Sequence, residues 1–441
     1  MGHVFYRAPR HNYPIARQAD GVYIYDSCGN KYLDGSGGAA VSCLGHSNKY
    51  VIDAIKSQLD QVAFAHTAFF TNDPQEKLAH KLAQKFGETD AKVYFLSGGS
   101  EANETAIKLA RQYWVSQGQH SKSIIISRHQ SYHGNTLATL SLSGNPGRQK
   151  TYRPMLHDWP KVMPCHAYRY QTADESTQEY AERCARSLEV EILQAGAENV
   201  AAFIAEPIVG ATLGCVPAVK GYFRKIREIC DKYGVLLILD EIMAGSGRSG
   251  TYFAFEQEDV KPDMVTIAKG IGAGYQPLAA VICRGFIHEN IVENCGAFEH
   301  GHTYIGHPTT CAAGLAVLEV LEQENLLQNV QKMGGLLQSQ LHEVFASHPN
   351  VADIRGRGLF VGIEFTLDKD RKKAPEPERG LPGKLKQAAM ANGLICYPGG
   401  GTADGVNGAH ILLAPPFIYE ENHIGELVEK LEKTINQQDF T

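Results

Sequence analysis

Short apolar runs and longer amphipathic stretches alternate through the middle of the chain. Val93–Leu96, Ser123–Ser127, Val200–Ala205, Val235–Leu239, Met264–Ile267 and Leu278–Cys283 are short, apolar and rich in β-branched residues. Continuous runs of this kind predict strands of a mostly parallel sheet, buried on both faces. Helical spacing fills the intervals. Over Gln75–Phe86, Leu78, Leu82 and Phe86 recur four residues apart and predict one buried stripe. Asp73 is the expected cap of this helix, Pro74 suits its first position, and Glu76 completes a capping-box arrangement. A second helix is predicted over Lys220–Tyr233, with Phe223, Ile226 and Cys230 on one face and Gly234 just past its end. Such alternation predicts an α/β layered domain.

The last third reads differently. Ala313–Phe345 predicts one long helix, or two joined near Gly334–Gly335. Leu359–Phe365 and Ile411–Leu413 read as strands, Asp368–Gly383 as a charged, proline-rich excursion, and Glu420–Gln437 as a final amphipathic helix. This predicts a second, smaller α+β domain. Near the other end, Val22–Asp26 and Lys31–Leu33 flank the turn Ser27–Asn30 and predict a hairpin. No internal repeat or low-complexity tract interrupts the pattern.

At 441 residues the chain exceeds what a single compact core usually reaches, which fits two domains. Apolar residues at 43% can bury a sizeable core and exclude a disordered or fibrous chain. A net charge of −6 without a dense Lys/Arg stripe argues against a nucleic-acid partner. No apolar run approaches the ~18 residues of a membrane span. The ten cysteines include no C-x-x-C pair, and the beginning of the chain has no apolar signal-like stretch. A cytoplasmic protein with reduced thiols is expected.

Four segments carry candidate chemistry. Ser97–Glu104 (SGGSEANE) follows a strand and opens a helix, where free N–H groups and two glycines favour an anion. A plain strand-to-helix turn with a serine cap is the alternative. Leu236–Glu241 ends a buried strand in two carboxylates, where α/β sheets place ligands. An ATPase reading of that strand needs a Gly-Lys-Ser/Thr loop, which the chain lacks. An acid pair that merely caps the next segment remains an alternative. Lys269 ends the apolar run Met264–Ala268. Desolvation there would lower its pKa and make its amine a nucleophile, unless it is a snorkelling surface lysine. His300, His302 and His307 invite a metal reading, but no supporting ligand pattern accompanies them, and none is expected for the pair His129 and His133. A phosphate cradle, an acid and a reactive lysine together are what a pyridoxal phosphate site requires.

These motifs make the sequence recognisable. Ile238–Gly250 (ILDEIMAGSGRSG), followed by Ala268-Lys269-Gly270, resembles the signature of the class III aminotransferases, the ω-type group of the fold type I pyridoxal-phosphate enzymes. The likeness runs from the hairpin near Asp26–Leu33 to Leu412–Pro416. It implies a large domain with a mostly parallel seven-stranded sheet, over 56–312, and a smaller α+β domain over 313–441, against which the N-terminal segment 1–55 packs. It implies pyridoxal 5′-phosphate as cofactor, with Lys269 as its Schiff-base lysine and Asp240 on the pyridine nitrogen. Gly99 and Ser100 would bind the phosphate, and Tyr132 would stack on the ring, with His133 beside it. Met243 would pack against the cofactor, and Glu206 matches a family glutamate near it. Thr303 would reach the phosphate of the neighbouring subunit, so a homodimer is implied. The implied reaction moves an amino group from a primary amine, or a β- or ω-amino acid, to a keto acid by ping-pong exchange. A lyase acting on amino-alcohol-type substrates is the alternative on the same scaffold, and a regulatory protein without activity would need a broken site.

The chain departs from that pattern at three points. Leu412 and Ala211 stand where many relatives carry a switchable arginine and its glutamate partner, and Asn135 stands where some carry an arginine. A pyruvate-like acceptor, or another basic residue that binds the substrate carboxylate, is therefore expected. Small residues in Ser36–Gly45 are expected to line the substrate entrance.

Overall fold

The computed structural model of the chain describes residues 3–440. Its centre is a seven-stranded sheet in the order Lys92–Leu96, Ala279–Cys283, Met264–Ile267, Leu236–Asp240, Val200–Ala205, Ile124–Arg128, Lys161–Val162. Six strands run parallel, and Ala279–Cys283 runs against its neighbours. Val200–Ala205, Leu236–Asp240 and Ala279–Cys283 are buried at every position. Burial on both faces is why their sequences lack alternation. The six predicted strands lie within one residue of those observed. The seventh, Lys161–Val162, has only two residues and no periodicity to read.

Helices cover both faces, among them Gly99–Ser116 and Tyr222–Tyr233. Phe223, Ile226 and Cys230 are buried as predicted, and Gly234 takes the left-handed turn that ends their helix. The helix Asp73–Phe86 buries Leu78, Leu82 and Phe86, but its cap is Asn72 rather than Asp73. The Asn72 side chain accepts from Gln75 N at 3.0 Å while its amide donates to the Gly306 carbonyl at 2.9 Å. That tertiary tie selects the earlier residue.

The smaller domain carries the antiparallel sheet Val351–Arg357, Phe360–Phe365, Ala409–Leu413, Tyr397–Gly400, with helices Leu381–Ala391 and Glu421–Asn436. The long helical stretch is two helices, Pro308–Gln323 and Leu326–Phe345, and the break lies at Asn325, not at Gly334–Gly335. Asn325 adopts φ +50°, a left-handed conformation that asparagine tolerates. Gly334 serves close packing instead, because a Cβ there would sit 2.3 Å from the Gly358 carbonyl oxygen. The N-terminal hairpin, Tyr23–Asp26 with Lys31–Asp34, joins a sheet whose far strand is Leu394–Ile395, so the chain's beginning is stitched to its last third.

Among the described residues no helix is long and apolar enough to cross a membrane. No cluster of three or more His, Cys, Asp and Glu could hold a metal ion among them either. His300 is instead bonded to Thr105 Oγ1 at 2.8 Å and to Lys108 Nζ at 3.0 Å.

Candidate active site

Parallel strands end on one edge of the sheet, and their following residues converge there. Ser97–Ser100, Glu206, Asp240 and Lys269 all follow or end such strands, and they line one cavity of about 580 Å³. Tyr132 and His133 close another side of it. That volume suits a cofactor with a small substrate.

The helix Gly99–Ser116 begins at this cavity with Gly98 as its N-cap and no side chain capping it. A serine-capped turn is therefore not what the structure contains. The Glu101 carboxylate accepts from Ser97 N at 2.9 Å, and Ser100 Oγ accepts from Asn135 N at 2.9 Å. Gly134 passes so close that a Cβ would lie 2.8 Å from Ser100 Oγ, at a φ of +144° that also favours glycine. An uncapped helix start beside a hydroxyl fits a phosphate.

Asp240 is held through both carboxylate oxygens. Its Oδ2 accepts from Asn103 Nδ2 at 2.7 Å and pairs with His133 Nδ1 at 2.8 Å, while its Oδ1 accepts from Ile242 N at 3.1 Å. Asn103 is itself fixed, donating to the His133 carbonyl at 2.7 Å and accepting from Thr266 Oγ1 at 2.8 Å. It was not singled out from the sequence. The signal was there, since Asn103 lies on the buried face of its helix with Ala102, Ala106 and Ala110. Glu241 parts from its neighbour. It accepts from Ala254 N and Phe255 N at 2.7 and 2.8 Å, and burial pushes its carboxyl up to about 8. The acid pair thus divides into one cavity group and one turn cap.

Lys269 follows the strand Met264–Ile267, half-buried and with φ +52°. Desolvation lowers its pKa to about 8 although the charges of Asp240 and Glu206 act in the opposite sense. Glu206 is buried, and desolvation raises its pKa despite the nearby His133. Its two oxygens accept from Tyr132 N and Gly210 N, each at 3.0 Å. Glu206 therefore fixes the backbone that presents the Tyr132 ring. Over that ring, 4.4 Å from its centroid, lies the Arg148 guanidinium, which the sequence did not reveal.

Met243 lines the cavity, and Leu412 and Ala211 belong to the same apolar cluster. Leu412 is fully buried and lies behind the cavity wall, which Ala211 lines. Ala39 and Val41, from the expected entrance loop, line it too. Thr303 is exposed and does not reach this cavity within its own chain.

A lysine with a depressed pKa, a doubly anchored aspartate and an uncapped helix start in one cavity fit pyridoxal phosphate. Comparison with known proteins agrees. The Aminotransferase class-III family profile matches residues 5–435. This chain is a class III aminotransferase. An uncharacterised aminotransferase of Schizosaccharomyces pombe is 45% identical over 98% of this chain and 95% of its own length. The crystal structure of an (S)-enantioselective ω-transaminase from Thermomicrobium roseum superposes with a TM-score of 0.92 at 34% identity, covering 99% of this chain and 96% of the other. A pyridoxal-phosphate-bound amine transaminase from an uncultivated Pseudomonas species gives 0.92 at 33% identity, covering 99% and 98%. The aminotransferase has the fold type I architecture and pyridoxal phosphate as its cofactor.

Proposed function

We propose that this aminotransferase takes an amino group from a primary amine, or from a β- or ω-amino acid, and gives it to a pyruvate-like keto acid in two half-reactions at one cavity. The observation that carries the reading is Lys269, a desolvated amine in the same cavity as Asp240. The bound cofactor supplies an electron sink that makes the substrate's Cα–H acidic. Lys269 holds the cofactor at rest. The free Lys269 amine would be the base that takes the proton at the substrate's Cα and holds it for return. A pKa near 8 leaves roughly a tenth to a fifth of the free amine neutral at physiological pH, against about a thousandth for an ordinary lysine near 10.4. Asp240, oriented by Asn103 and His133, would hold the pyridine nitrogen protonated. Gly99 and Ser100 would take the phosphate, Tyr132 would cover the ring with His133 beside it, and Met243 would supply apolar packing. Glu206 acts by positioning Tyr132.

We infer a homodimer, in which Thr303 reaches the partner's phosphate site. The support is a group of exposed aromatic side chains near it: Phe64, Phe69, Phe70 and Tyr304. Phe64 and Tyr304 stack edge-on with centroids 5.8 Å apart. Apolar surface of this kind is what an association face supplies. All ten cysteines are unpaired thiols, which suits a reducing cytoplasmic setting.

The acceptor preference follows from the apolar wall at Ala211, backed by Leu412, which offers a second carboxylate no cation. Steady-state assays should therefore give a higher kcat/KM for pyruvate than for 2-oxoglutarate. A strong preference for 2-oxoglutarate would contradict the reading.

A further inference from the structure

The proposed reaction needs a cation for the substrate's carboxylate, and neither Leu412 nor Ala211 supplies one. Two guanidinium groups line the cavity, Arg7 and Arg148. Arg7 is exposed on the N-terminal segment. Arg148 is held firmly. It sits on the short turn Pro146–Gln149, capped by Asn145, whose side chain accepts from Arg148 N at 3.1 Å. The next residue, Gln149, donates to the Leu140 carbonyl at 2.8 Å and to the Ser143 carbonyl at 2.5 Å. On its other side the turn abuts the smaller domain. A Cβ at Gly405 would lie 3.1 Å from the Pro146 ring. Arg148 thus stands where the two domains meet, with its guanidinium packed over the Tyr132 ring.

No carboxylate pairs with Arg148 among the described residues. Acidic partners take up the half-buried Arg169 and Arg355, and backbone carbonyls take up the fully buried Arg128 and Arg248. An arginine remains charged under all working conditions and offers a planar fork matched to a carboxylate. The phosphate of the cofactor already has the uncapped helix start at Gly99. Arg148 is also near enough to Lys269 that its charge contributes to the lowering of that amine's pKa.

We propose that Arg148 anchors the substrate carboxylate, in place of the switchable arginine this chain lacks, and that it makes carboxylate-bearing amines and keto acids, rather than bare amines, the preferred substrates. The proposal rests on the aminotransferase reading above. One anchor serves both half-reactions, because donor and acceptor occupy the cavity in turn. Tyr132 props the guanidinium, and the smaller domain's 401–408 loop backs the turn that carries it.

The test uses holoenzyme and Arg148→Met, Arg148→Lys and Arg7→Met variants. Each is mixed with β-alanine or with propylamine, and conversion of the bound cofactor to its amino form is followed by absorbance. The quantity read is the ratio of kcat/KM for β-alanine over propylamine. Arg148→Met, which keeps the packing on Tyr132 but loses the charge, should lower that ratio by about 100-fold. Arg148→Lys should recover part of it, and Arg7→Met should leave it within about threefold, the effect of an exposed charge. An unchanged ratio in Arg148→Met, or a collapse in Arg7→Met instead, overturns the proposal. So does a wild-type enzyme that converts propylamine as well as β-alanine. A holoenzyme that converts its cofactor with no donor in a wider amine panel would sink the transaminase reading itself, which is a separate outcome.

Discussion

Two of the clusters of buried charge in this molecule are built in opposite ways. The first joins the domains. Glu364, fully buried on the smaller domain's sheet, accepts from Arg355 at 2.5 Å and from Arg169 Nε at 2.7 Å, and His166 approaches its second oxygen at 3.5 Å. Arg355 also pairs with Asp353 at 2.7 Å and donates to the Gly214 carbonyl at 3.0 Å. Burial alone would push Glu364 up, but the charge of Arg355, the His166 bond and Arg169 outweigh it and hold the carboxyl well below the usual range. The second cluster lines the cavity. There Lys269 has no ion-pair partner within 4 Å among the described residues, and both Lys269 and Glu206 shift toward their neutral forms. A closed cluster spends its charges on one another and fixes structure. An open one leaves them available to a ligand and so stores reactivity. The clamp also serves the cavity, because Arg355 holds the segment at Gly214 that carries Ala211 into the cavity wall.

Substitutions should separate the two clusters. Lys269→Ala should remove turnover by about 10⁴-fold and abolish the visible absorption of the bound cofactor, with little change in the melting temperature. Retained turnover would break the contrast at once. Asp240→Asn should slow proton abstraction by about 10³-fold while a weakened cofactor site persists, as single-turnover absorbance can show. Arg355→Leu should do the reverse. Leaving Glu364 short of a partner should cost about 3 kcal/mol of stability, read as a lowered denaturation midpoint. Because the folded Glu364 is held low, the stability it contributes is full above the ordinary glutamate range and drains as pH falls from that range to its lowered folded value. The smallest effect is one of pH. Attachment of the cofactor to the apoenzyme needs neutral Lys269, so its rate should rise with pH and level off above about 8. A rise that continues toward 10.4 would mean an exposed, ordinary lysine.

Most of the central sheet was legible because its strands are buried on both faces and carry unbroken apolar runs. Lys161–Val162 and the two-residue ribbon Ile208–Val209 with Val216–Pro217 were not, since two residues have no pattern. The helix break was misplaced because Gly334–Gly335 imitates a breaker, whereas Gly334 is small to admit Gly358 and Asn325 makes the turn. Within the cavity, Asp240 and Lys269 stood out as charged residues ending apolar strands. Asn103 was hidden inside a helix, although a polar side chain on an alanine-lined buried face was a usable signal. Arg148 gave none. It lies on a short turn whose position depends on Asn145, Gln149 and the distant loop at Gly405, and no local pattern encodes such a meeting.

The central claim is that the Lys269 amine is the one that bonds the cofactor. Reduction of the holoenzyme with borohydride, followed by proteolysis and mass spectrometry, tests it directly. The account predicts the reduced cofactor on the peptide containing Lys269 and on no other lysine; a label elsewhere, or none at all in a holoenzyme that still turns over, would contradict it.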